Sequence, residues 1–209
     1  PTEDSFPIQL AIDYEGTVWF TEVYGNKLGQ LRPSETRDGT TDGITEFIPP
    51  GRLEMLGGLT IDIDGNIWFS MLTYPFTGKI VKYSPRTAEF EVFVLPNETR
   101  SPVGVSVDNL GVIWISDHGT SLFASFNTSN KNYEVYVTST SGTSFPTTLP
   151  YWSQVDSNGR IWFNEHQGNA ISVFDSQIGV LTEYAIPTRN PIWGNTSNPL
   201  QIAVAPDGR

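Results

Sequence analysis

The chain of 209 residues contains no cysteine, only two histidines and only two methionines. Disulfide bonds and thiol chemistry are therefore excluded, and cysteine usage does not indicate a redox compartment. Basic residues are also scarce: 12 Lys and Arg stand against 23 Asp and Glu, which gives a formal net charge of -11. Nucleic-acid binding needs clustered Lys and Arg that contact phosphates, so the composition argues against a nucleic-acid partner.

Long apolar runs and helical patterns are absent as well. No stretch of the sequence approaches the roughly 18–20 apolar residues that a transmembrane helix needs. No segment keeps a helical period of apolar residues, and no phosphate-binding loop, dinucleotide-binding motif or nucleophile motif occurs. The sequence therefore predicts no transmembrane segment and none of the common nucleotide-dependent enzyme classes.

What the sequence does contain is a repeated five-residue motif. It occurs at 18–22, 67–71, 113–117 and 161–165, and each copy follows a turn that contains glycine. The tryptophans of the motif recur at intervals of 49, 46 and 48 residues. A fixed period in this range is typical of repeat folds, whose units bury their apolar faces by stacking on one another. The four tryptophans are Trp19, Trp68, Trp114 and Trp162.

The fourth copy shows what one repeat contains. Residues 151–156, 160–165, 169–175 and 180–187 read as four strands separated by short turns rich in Gly, Asn and Asp. Four such strands predict one antiparallel sheet, and sheets of this size at this period are propeller blades. The sequence therefore predicts an all-β fold, a β-propeller of four-stranded antiparallel blades.

The copies also predict the number of blades. They place blades near residues 7–50, 56–96, 102–139 and 150–187, and a partial blade at 199–209. Propellers close with roughly 4–8 blades, so four and a fraction blades predict a truncated segment of a larger ring. A compact closure with four blades is the alternative.

Three motifs of the first copy resemble a known family. The matching stretches are 19–22, 25–30 and 44–49 in the first copy and 162–165, 168–171 and 181–184 in the fourth. They are similar to one blade of the streptogramin B lyase (virginiamycin B lyase) family, and the resemblance covers essentially the whole chain. Family members are seven-bladed propellers, so the resemblance implies that two or three blades are absent here. Non-catalytic relatives share the motif, so it supports the fold more strongly than an activity.

The catalytic histidines of this family follow a proline where the chain enters a blade, in the pattern Pro-His-x-Ile with a Pro-Tyr-x-Ile variant. Only Tyr151 resembles the tyrosine variant here, and Trp152 replaces its usual glycine. The resemblance thus implies that this segment lacks the family's general base, which either the absent blades supply or the protein has lost. The matching positions are Ile8, Gly57, Val103, Tyr151 and Leu200.

The loops after the Trp-containing strands predict a shared functional face, because alternate loops of an up-and-down blade lie at the same end. The two histidines, His118 and His166, occupy equivalent places there, each directly after a carboxylate. Carboxylates and imidazoles bind divalent metals or act as acid–base pairs. Adjacent strand residues point to opposite sides, so solvated loop histidines beside turn carboxylates are the alternative. This face collects Glu22, Met71, Asp117, His118, Glu165 and His166.

The site hypotheses follow from this face. Asp117, Glu165 and His166 are candidate ligands for a divalent cation such as magnesium. His118, His166 and Tyr151 are candidate catalytic residues. Aromatic side chains at the same end can stack on a sugar or hold a protein partner, with packing at the rim as the alternative. The predicted partner-binding set is Glu22, Asp117, Glu165, Tyr151, Trp152 and Trp193.

The aspartates before the glycine turns have a simpler interpretation. Residues 62–65 resemble the beginning of a calcium-binding loop but lack the later acidic ligands that such a loop needs. Asp62 and its counterparts are instead predicted to bind local backbone at the turns. The counterparts are Asp13, Asp108 and Asp156.

Three sequons for N-glycosylation begin at Asn97, Asn127 and Asn195, all in predicted turns. They predict a glycoprotein that is secreted or displayed at the cell surface; a cytoplasmic propeller with unused sequons is the alternative. Two function classes remain open. The favoured one is an extracellular or cell-surface binding or assembly module with a protein or carbohydrate partner. The other is a metal-dependent lyase that opens a cyclic ester by elimination, with catalytic histidines in blades absent from this chain.

Overall fold

The computed structural model describes residues 2–51, 54–73, 77–139 and 145–205. These residues form four antiparallel sheets of four strands, and within each sheet every strand pairs with the next strand in sequence. The predicted all-β fold with four-stranded antiparallel blades is confirmed. The helical residues of the described ranges form two single 3₁₀ turns, Pro33–Glu35 and Pro191–Trp193. Neither turn is long enough to cross a membrane.

The four sheets are here called blades 1 to 4. Blade 1 contains β1 (Pro7–Ile12), β2 (Val18–Glu22), β3 (Lys27–Leu31) and β4 (Ile44–Phe47). Blade 2 contains β5 (Glu54–Ile61), β6 (Ile67–Thr73), β7 (Thr77–Ser84) and β8 (Glu89–Val94). Blade 3 contains β9 (Pro102–Val107), β10 (Val112–Asp117), β11 (Leu122–Asn127) and β12 (Tyr133–Val137). Blade 4 contains β13 (Pro150–Val155), β14 (Ile161–Glu165), β15 (Ala170–Asp175) and β16 (Val180–Ala185).

The chain divides into two compact units, Pro1–Leu95 with blades 1 and 2 and Pro96–Arg209 with blades 3 and 4. Of the predicted partial blade, residues 199–205 form no strand, and residues 206–209 lie outside the described part of the chain.

A single aspartate organises the turn before each Trp-containing strand. In blade 3, one oxygen of Asp108, Oδ1, accepts hydrogen bonds from the amides of Leu110 and Val112, at 2.9 and 3.0 Å. The other oxygen, Oδ2, accepts the indole N–H of Trp114 at 2.9 Å. Gly111 closes the turn with φ of +77°, a left-handed conformation that glycine adopts without steric cost. The turn interpretation of these aspartates is therefore confirmed.

The same arrangement recurs in all four blades. The indole N–H bonds of the other three copies join Trp19 to Asp13 at 2.9 Å, Trp68 to Asp62 at 2.7 Å and Trp162 to Asp156 at 2.9 Å. Trp19, Trp68 and Trp114 are buried, whereas Trp162 is half-buried. Each repeat thus builds the same hydrogen-bonded turn, which explains why the aspartate, glycine and tryptophan of each repeat keep a fixed spacing.

Each unit has an apolar core between its two blades. The core of the first unit includes Trp19, Leu28, Leu56, Phe69 and Met71. The core of the second unit includes Trp114, Phe123, Ile161, Phe163 and Phe174.

The first strands of blades 3 and 4 approach one another closely. A Cβ atom on Gly104 of β9 would lie 2.1 Å from the carbonyl oxygen of Tyr151 on β13, so a side chain does not fit there. Near this contact, the hydroxyls of Ser106 and Ser153 are 3.1 Å apart and share a hydrogen bond. The close approach brings the ends of β10 and β14, which carry the two histidines, near to each other.

Candidate functional site

The two histidines occupy equivalent positions in blades 3 and 4, directly after the Trp-containing strands. The amide of His118 donates to the carbonyl of Ser101 at 2.8 Å, and the amide of His166 donates to that of Leu149 at 3.0 Å. Each acceptor is the residue before the proline that begins the same blade. Both imidazoles are therefore attached to rigid backbone at the same end of their sheets.

Leu149 connects the two blades at this end. Its amide donates to the carbonyl of Thr120 in blade 3 at 3.1 Å, while its carbonyl accepts from His166. Its φ of +51° is uncommon for a bulky residue. Conformational strain of this kind persists only where surrounding contacts enforce it and is concentrated at functional sites.

The imidazoles of the two histidines meet directly. Nε2 of His118 lies 2.8 Å from Nδ1 of His166, within hydrogen-bonding distance. The ring centroids are 5.1 Å apart, with an angle of 26° between the ring planes. The sequence predicted that the two residues share one end of the fold, and the structure makes them a pair.

Tyr151 completes this arrangement. Its ring centroid lies 4.5 Å from that of His118 and 5.5 Å from that of His166. Tyr151 and both histidines are half-buried, so each retains some exposed surface. We call these three residues the histidine–tyrosine cluster.

The environment keeps the imidazoles of this cluster uncharged. Burial, and to a smaller extent the charge of a protonated His166, lower the pKa of His118 from 6.5 to about 4. Burial also lowers the pKa of His166 and raises that of Tyr151. At neutral pH the cluster therefore presents two neutral imidazoles and a protonated phenol, groups that can exchange protons or hydrogen-bond with a ligand.

Asp117 does not join the imidazole that follows it in sequence. Its carboxylate is fully buried and accepts hydrogen bonds from the amides of Ser101 and Gly119, at 3.0 and 2.7 Å, and from that of Arg100. Burial raises the pKa of Asp117, although these backbone hydrogen bonds oppose the shift. The carboxylate therefore anchors the loop that enters its own blade.

Glu165 likewise turns away from His166 and into its own sheet. Its Oε1 accepts a hydrogen bond from the hydroxyl of Ser172 at 2.6 Å. Burial, with a further contribution from the nearby charge of Glu183, raises the pKa of Glu165 from 4.5 to about 8. The side chain is thus protonated at neutral pH, and its contacts run across β14, β15 and β16.

Glu22, in the first unit, occupies the corresponding place in blade 1. It is buried, and its Oε2 has no hydrogen-bond partner among the described residues. Burial and then the charge of Glu46 raise its pKa, while Lys27 acts in the opposite direction. Lys27 instead pairs with Glu46, at 2.6 Å between Nζ and Oε2.

The predicted aromatic residues differ from one another. Tyr151 and Trp152 lie within β13 rather than on a loop, at an irregularity in its pairing with β14. Trp152 is only 8% exposed, so its ring offers little surface to a partner. Trp193 is 55% exposed and ends the second 3₁₀ turn, beside the even more exposed Ile192.

A structured loop carries Trp193 to the end of the sheet where His166 lies. The hydroxyl of Thr196 donates to the carbonyl of His166 at 2.8 Å. Asn169 binds the same loop: its Oδ1 accepts from the amide and hydroxyl of Ser197, at 2.6 and 2.8 Å. Its Nδ2 donates to the carbonyls of Ile186 and Thr188, at 2.8 and 3.2 Å.

The residues proposed as metal ligands from the sequence do not converge. Asp117 and Glu165 make the separate contacts described above, and His166 pairs with His118. Across residues 2–51, 54–73, 77–139 and 145–205, no group of three or more His, Cys, Asp and Glu residues is arranged to hold a metal ion.

Sequence analysis missed three polar residues that shape this end of blade 4, namely Asn169, Ser172 and Glu183. The motif of residues 168–171, which matches residues 25–28 of blade 1, contained a signal for Asn169 but none for its loop contacts. Ser172 and Glu183, which both influence Glu165, lie opposite each other on β15 and β16, so the strand register could have predicted that they are neighbours.

The sequons occupy different environments. Asn97 and Asn195 are exposed, and Asn195 lies in the loop that carries Trp193. Asn127 is half-buried and is the last residue of β11 rather than part of a turn. Its Oδ1 accepts a hydrogen bond from the amide of Ser129 at 3.0 Å.

The repeated four-stranded sheets, each with a turn in which an aspartate binds a tryptophan, define a protein of the β-propeller class. The whole chain, residues 1–209, matches the virginiamycin B lyase family. The chain therefore belongs to this family, as the blade motifs predicted. No curated protein sequence matches it significantly.

Solved structures with a similar fold include members of this family and other proteins. Virginiamycin B lyase from Staphylococcus aureus, as its selenomethionine form, is 25% identical with a TM-score of 0.79, over 99% of this chain and 62% of that one. A catalytically inactive histidine-to-alanine variant of the S. aureus lyase, with quinupristin, is 23% identical with a TM-score of 0.76, over 91% and 59% of the two chains. A nidogen/laminin complex contains a similar fold at 13% identity and a TM-score of 0.65, over 90% and 65%. The chain thus spans 62% of the length of the S. aureus lyase.

Proposed function

We propose that the chain belongs to a binding or assembly module that holds its partner at the end of blades 3 and 4. The observation that carries this proposal is the convergence of His118, His166 and Tyr151 into one half-buried, uncharged cluster. A ligand that covers the cluster gains aromatic contacts and hydrogen bonds to imidazole nitrogens, and it need not neutralise a buried charge.

The chemistry of this face favours a partner with ring-shaped or apolar groups. Tyr151 offers a partly exposed aromatic ring, and the loop beside His166 exposes Trp193 and Ile192. Exposed tryptophan and tyrosine side chains serve as contact residues in protein and carbohydrate recognition. We propose a protein or carbohydrate partner, and a fold similar to this one occurs in a nidogen/laminin complex.

A metal-dependent lyase that opens a cyclic ester by elimination is the second candidate. The histidine pair supports it, because a neutral imidazole can remove a proton from a substrate at neutral pH. Two observations weigh against the family's own arrangement of residues. None of the positions that match the family's Pro-His-x-Ile pattern, namely Ile8, Gly57, Val103, Tyr151 and Leu200, is histidine. The neighbouring carboxylates of Asp117 and Glu165 hydrogen-bond to groups other than the two imidazoles.

One experiment separates the two candidates. The natural full-length protein is titrated with quinupristin while the imidazole signals of His118 and His166 are followed by NMR, and the mixture is then analysed by chromatography. Shifted signals with intact quinupristin support a binding module. Conversion to an isomer of unchanged mass, as expected for ring opening by elimination, supports the lyase.

A parallel titration with neutral oligosaccharides examines a carbohydrate partner. Unchanged imidazole signals with both ligand classes would contradict the proposed site for these ligands. A matched variant, Gln177→Ala, changes an exposed polar residue in the turn between β15 and β16 and should respond as the wild type does.

We also propose that the protein acts outside the cell or at the cell surface. The two exposed sequon asparagines, Asn97 and Asn195, support this location, since glycans are added to accessible sequons of secreted proteins.

A further inference from the structure

We propose that His118 and His166 together form a two-imidazole site for a divalent transition-metal ion such as Cu²⁺, Ni²⁺ or Zn²⁺. The proposed ligand set differs from the carboxylate–imidazole set expected from the sequence. It rests on the proposed function in one respect only, namely that water or the ligand at this face completes the coordination of the ion.

The separation of the two nitrogens fits such an ion. Nε2 of His118 and Nδ1 of His166 are 2.8 Å apart. Metal–imidazole bonds are about 2.0–2.1 Å long, so an ion bound to both nitrogens would have an angle of about 85° between its two ligands. This angle suits neighbouring positions of a square-planar or octahedral ion. A tetrahedral ion would require the nitrogens to separate by about 0.5 Å.

Contacts of the backbone hold the two histidines close together. His118 and His166 are anchored through their amides to Ser101 and Leu149, and the carbonyl of His166 accepts the hydroxyl of Thr196 at 2.8 Å. Tyr151 lies against both imidazoles. An ion therefore meets two ligands that are already adjacent. Both rings must turn, because the nitrogens that now point at each other along the hydrogen bond must both point at the ion.

The protonation state of the pair is also suitable. Burial lowers the pKa of both imidazoles, so neither ring carries a second proton that the ion must displace at neutral pH. In the hydrogen-bonded pair, one ring holds its proton between the two nitrogens. Metal binding requires that ring to change tautomer, so that the protons lie on Nδ1 of His118 and Nε2 of His166.

The ligand chemistry predicts which ions bind. Imidazole nitrogen suits copper, nickel and zinc, whereas magnesium prefers oxygen ligands in an octahedral arrangement. The nearest carboxylates in sequence, Asp117 and Glu165, have their own hydrogen-bond partners within their blades. The site should therefore discriminate against magnesium.

Copper electron paramagnetic resonance tests the proposal directly. Metal-free full-length protein is mixed with one equivalent of Cu²⁺, and hyperfine coupling to ligand nitrogens is recorded. We expect coupling to two imidazole nitrogens and, in calorimetry with Ni²⁺, one ion per protein. His118→Gln and His166→Gln should each weaken Ni²⁺ binding by more than the about 10–100-fold that loss of a supporting partner costs.

Glu165→Gln is the matched control. It keeps the size of the side chain and replaces a protonated carboxyl by a neutral amide, so the two-imidazole site predicts unchanged Ni²⁺ affinity. Loss of binding in this variant would instead support a carboxylate–imidazole site and contradict the proposal. A wild-type copper signal without two imidazole nitrogens would overturn it as well, whether or not the histidine variants fold.

Metal binding and partner binding can be tested separately. The quinupristin and oligosaccharide titrations can be repeated with a chelator present. Ligand binding that persists without metal, together with a negative copper result, would leave the binding function and remove the metal site.

Discussion

One aspartate in each of the four repeats has the same role. Each of Asp13, Asp62, Asp108 and Asp156 accepts two backbone amides through one oxygen and an indole N–H through the other. One carboxylate thus determines both the shape of the turn and the orientation of the tryptophan ring.

Asp156→Ala should lower the free energy of unfolding by about 2–4 kcal/mol, because the N–H groups that donate to this buried carboxylate lose their acceptor. Asp156 is only 2% exposed and binds the indole of Trp162 and the guanidinium of Arg160. Denaturant unfolding provides the measurement. Asp175→Ala is the control: the carboxylate of Asp175 accepts an exposed amide bond from Gln177, and its loss should cost less than about 1 kcal/mol. Equal losses in the two variants would contradict the proposed role of Asp156.

The stability of the protein should also depend on Glu165 in a defined pH range. Its pKa is raised from 4.5 to about 8 in the folded protein, so the folded state binds a proton more tightly than the unfolded state does. Stability from this group is fully present below about pH 4.5 and is lost as the pH rises to about 8. Glu165→Gln should remove this dependence and make the protein more stable than the wild type at pH 8.

Urea unfolding at pH 5, 6, 7 and 8 tests this expectation. Between pH 5 and pH 8 the free energy of unfolding of the wild type should fall, relative to that of Glu165→Gln, by an amount on the order of a few kcal/mol. Glu183→Gln, which changes the partner carboxyl, serves as a comparison because it should also lower the pKa of Glu165. Parallel pH curves for the wild type and Glu165→Gln would show that Glu165 is ionised in the folded state.

The contact between His118 and His166 could not be predicted from the sequence. Alternation along a strand indicated that Glu165 and His166 point to opposite sides, and the repeat indicated that His118 and His166 share one end. Their contact at 2.8 Å depends on how closely blades 3 and 4 pack, which Gly104 permits and the repeat alone does not specify.

Strands were more predictable than loops at the scale of elements. In blade 4, the expected strands 151–156 and 169–175 agree with Pro150–Val155 and Ala170–Asp175 to within a residue. Alternating polarity and short turns encode these strands locally. The loop that carries Trp193 was not predicted, because its conformation depends on tertiary hydrogen bonds to Asn169 and His166.

Asn169→Ala should release this loop from blade 4. The variant removes hydrogen bonds to Ile186, Thr188 and Ser197, so we expect a loss of about 2–4 kcal/mol and faster hydrogen exchange at Ser197. Asn26→Ala is a matched control, since Asn26 occupies the equivalent place and has a similar φ, +50° against +56°. The Oδ1 of Asn26 is buried without a hydrogen-bond partner in the described part of the chain, so less is lost there. Similar costs for both variants would show that backbone strain, rather than the loop contacts, determines the effect.

At the scale of the whole molecule, family membership and fold agree with the repeat in the sequence. The match over residues 1–209 and the four sheets follow from one motif that is repeated four times. Function is less closely tied to the fold, because a propeller scaffold supports both binding and catalysis.

At least one of Asn97, Asn127 and Asn195 should carry a glycan in the protein from its native source. The exposed Asn97 and Asn195 are the best acceptors, and Asn195 would place its glycan in the loop beside His166. Glycopeptide mass spectrometry measures occupancy at each position, and Asn→Gln variants identify each signal. Three unmodified sequons would remove the main support for an extracellular location.

The proposed site requires that His118 and His166 pair as neutral imidazoles. Nitrogen NMR of the two imidazoles across pH 3 to 8 reports their charge, their tautomers and any coupling across a hydrogen bond between them. We predict coupling between the paired nitrogens, both rings neutral at pH 7, and protonation of His118 only near pH 4. Two independent titrations near the ordinary value of 6.5, without coupling, would contradict the account.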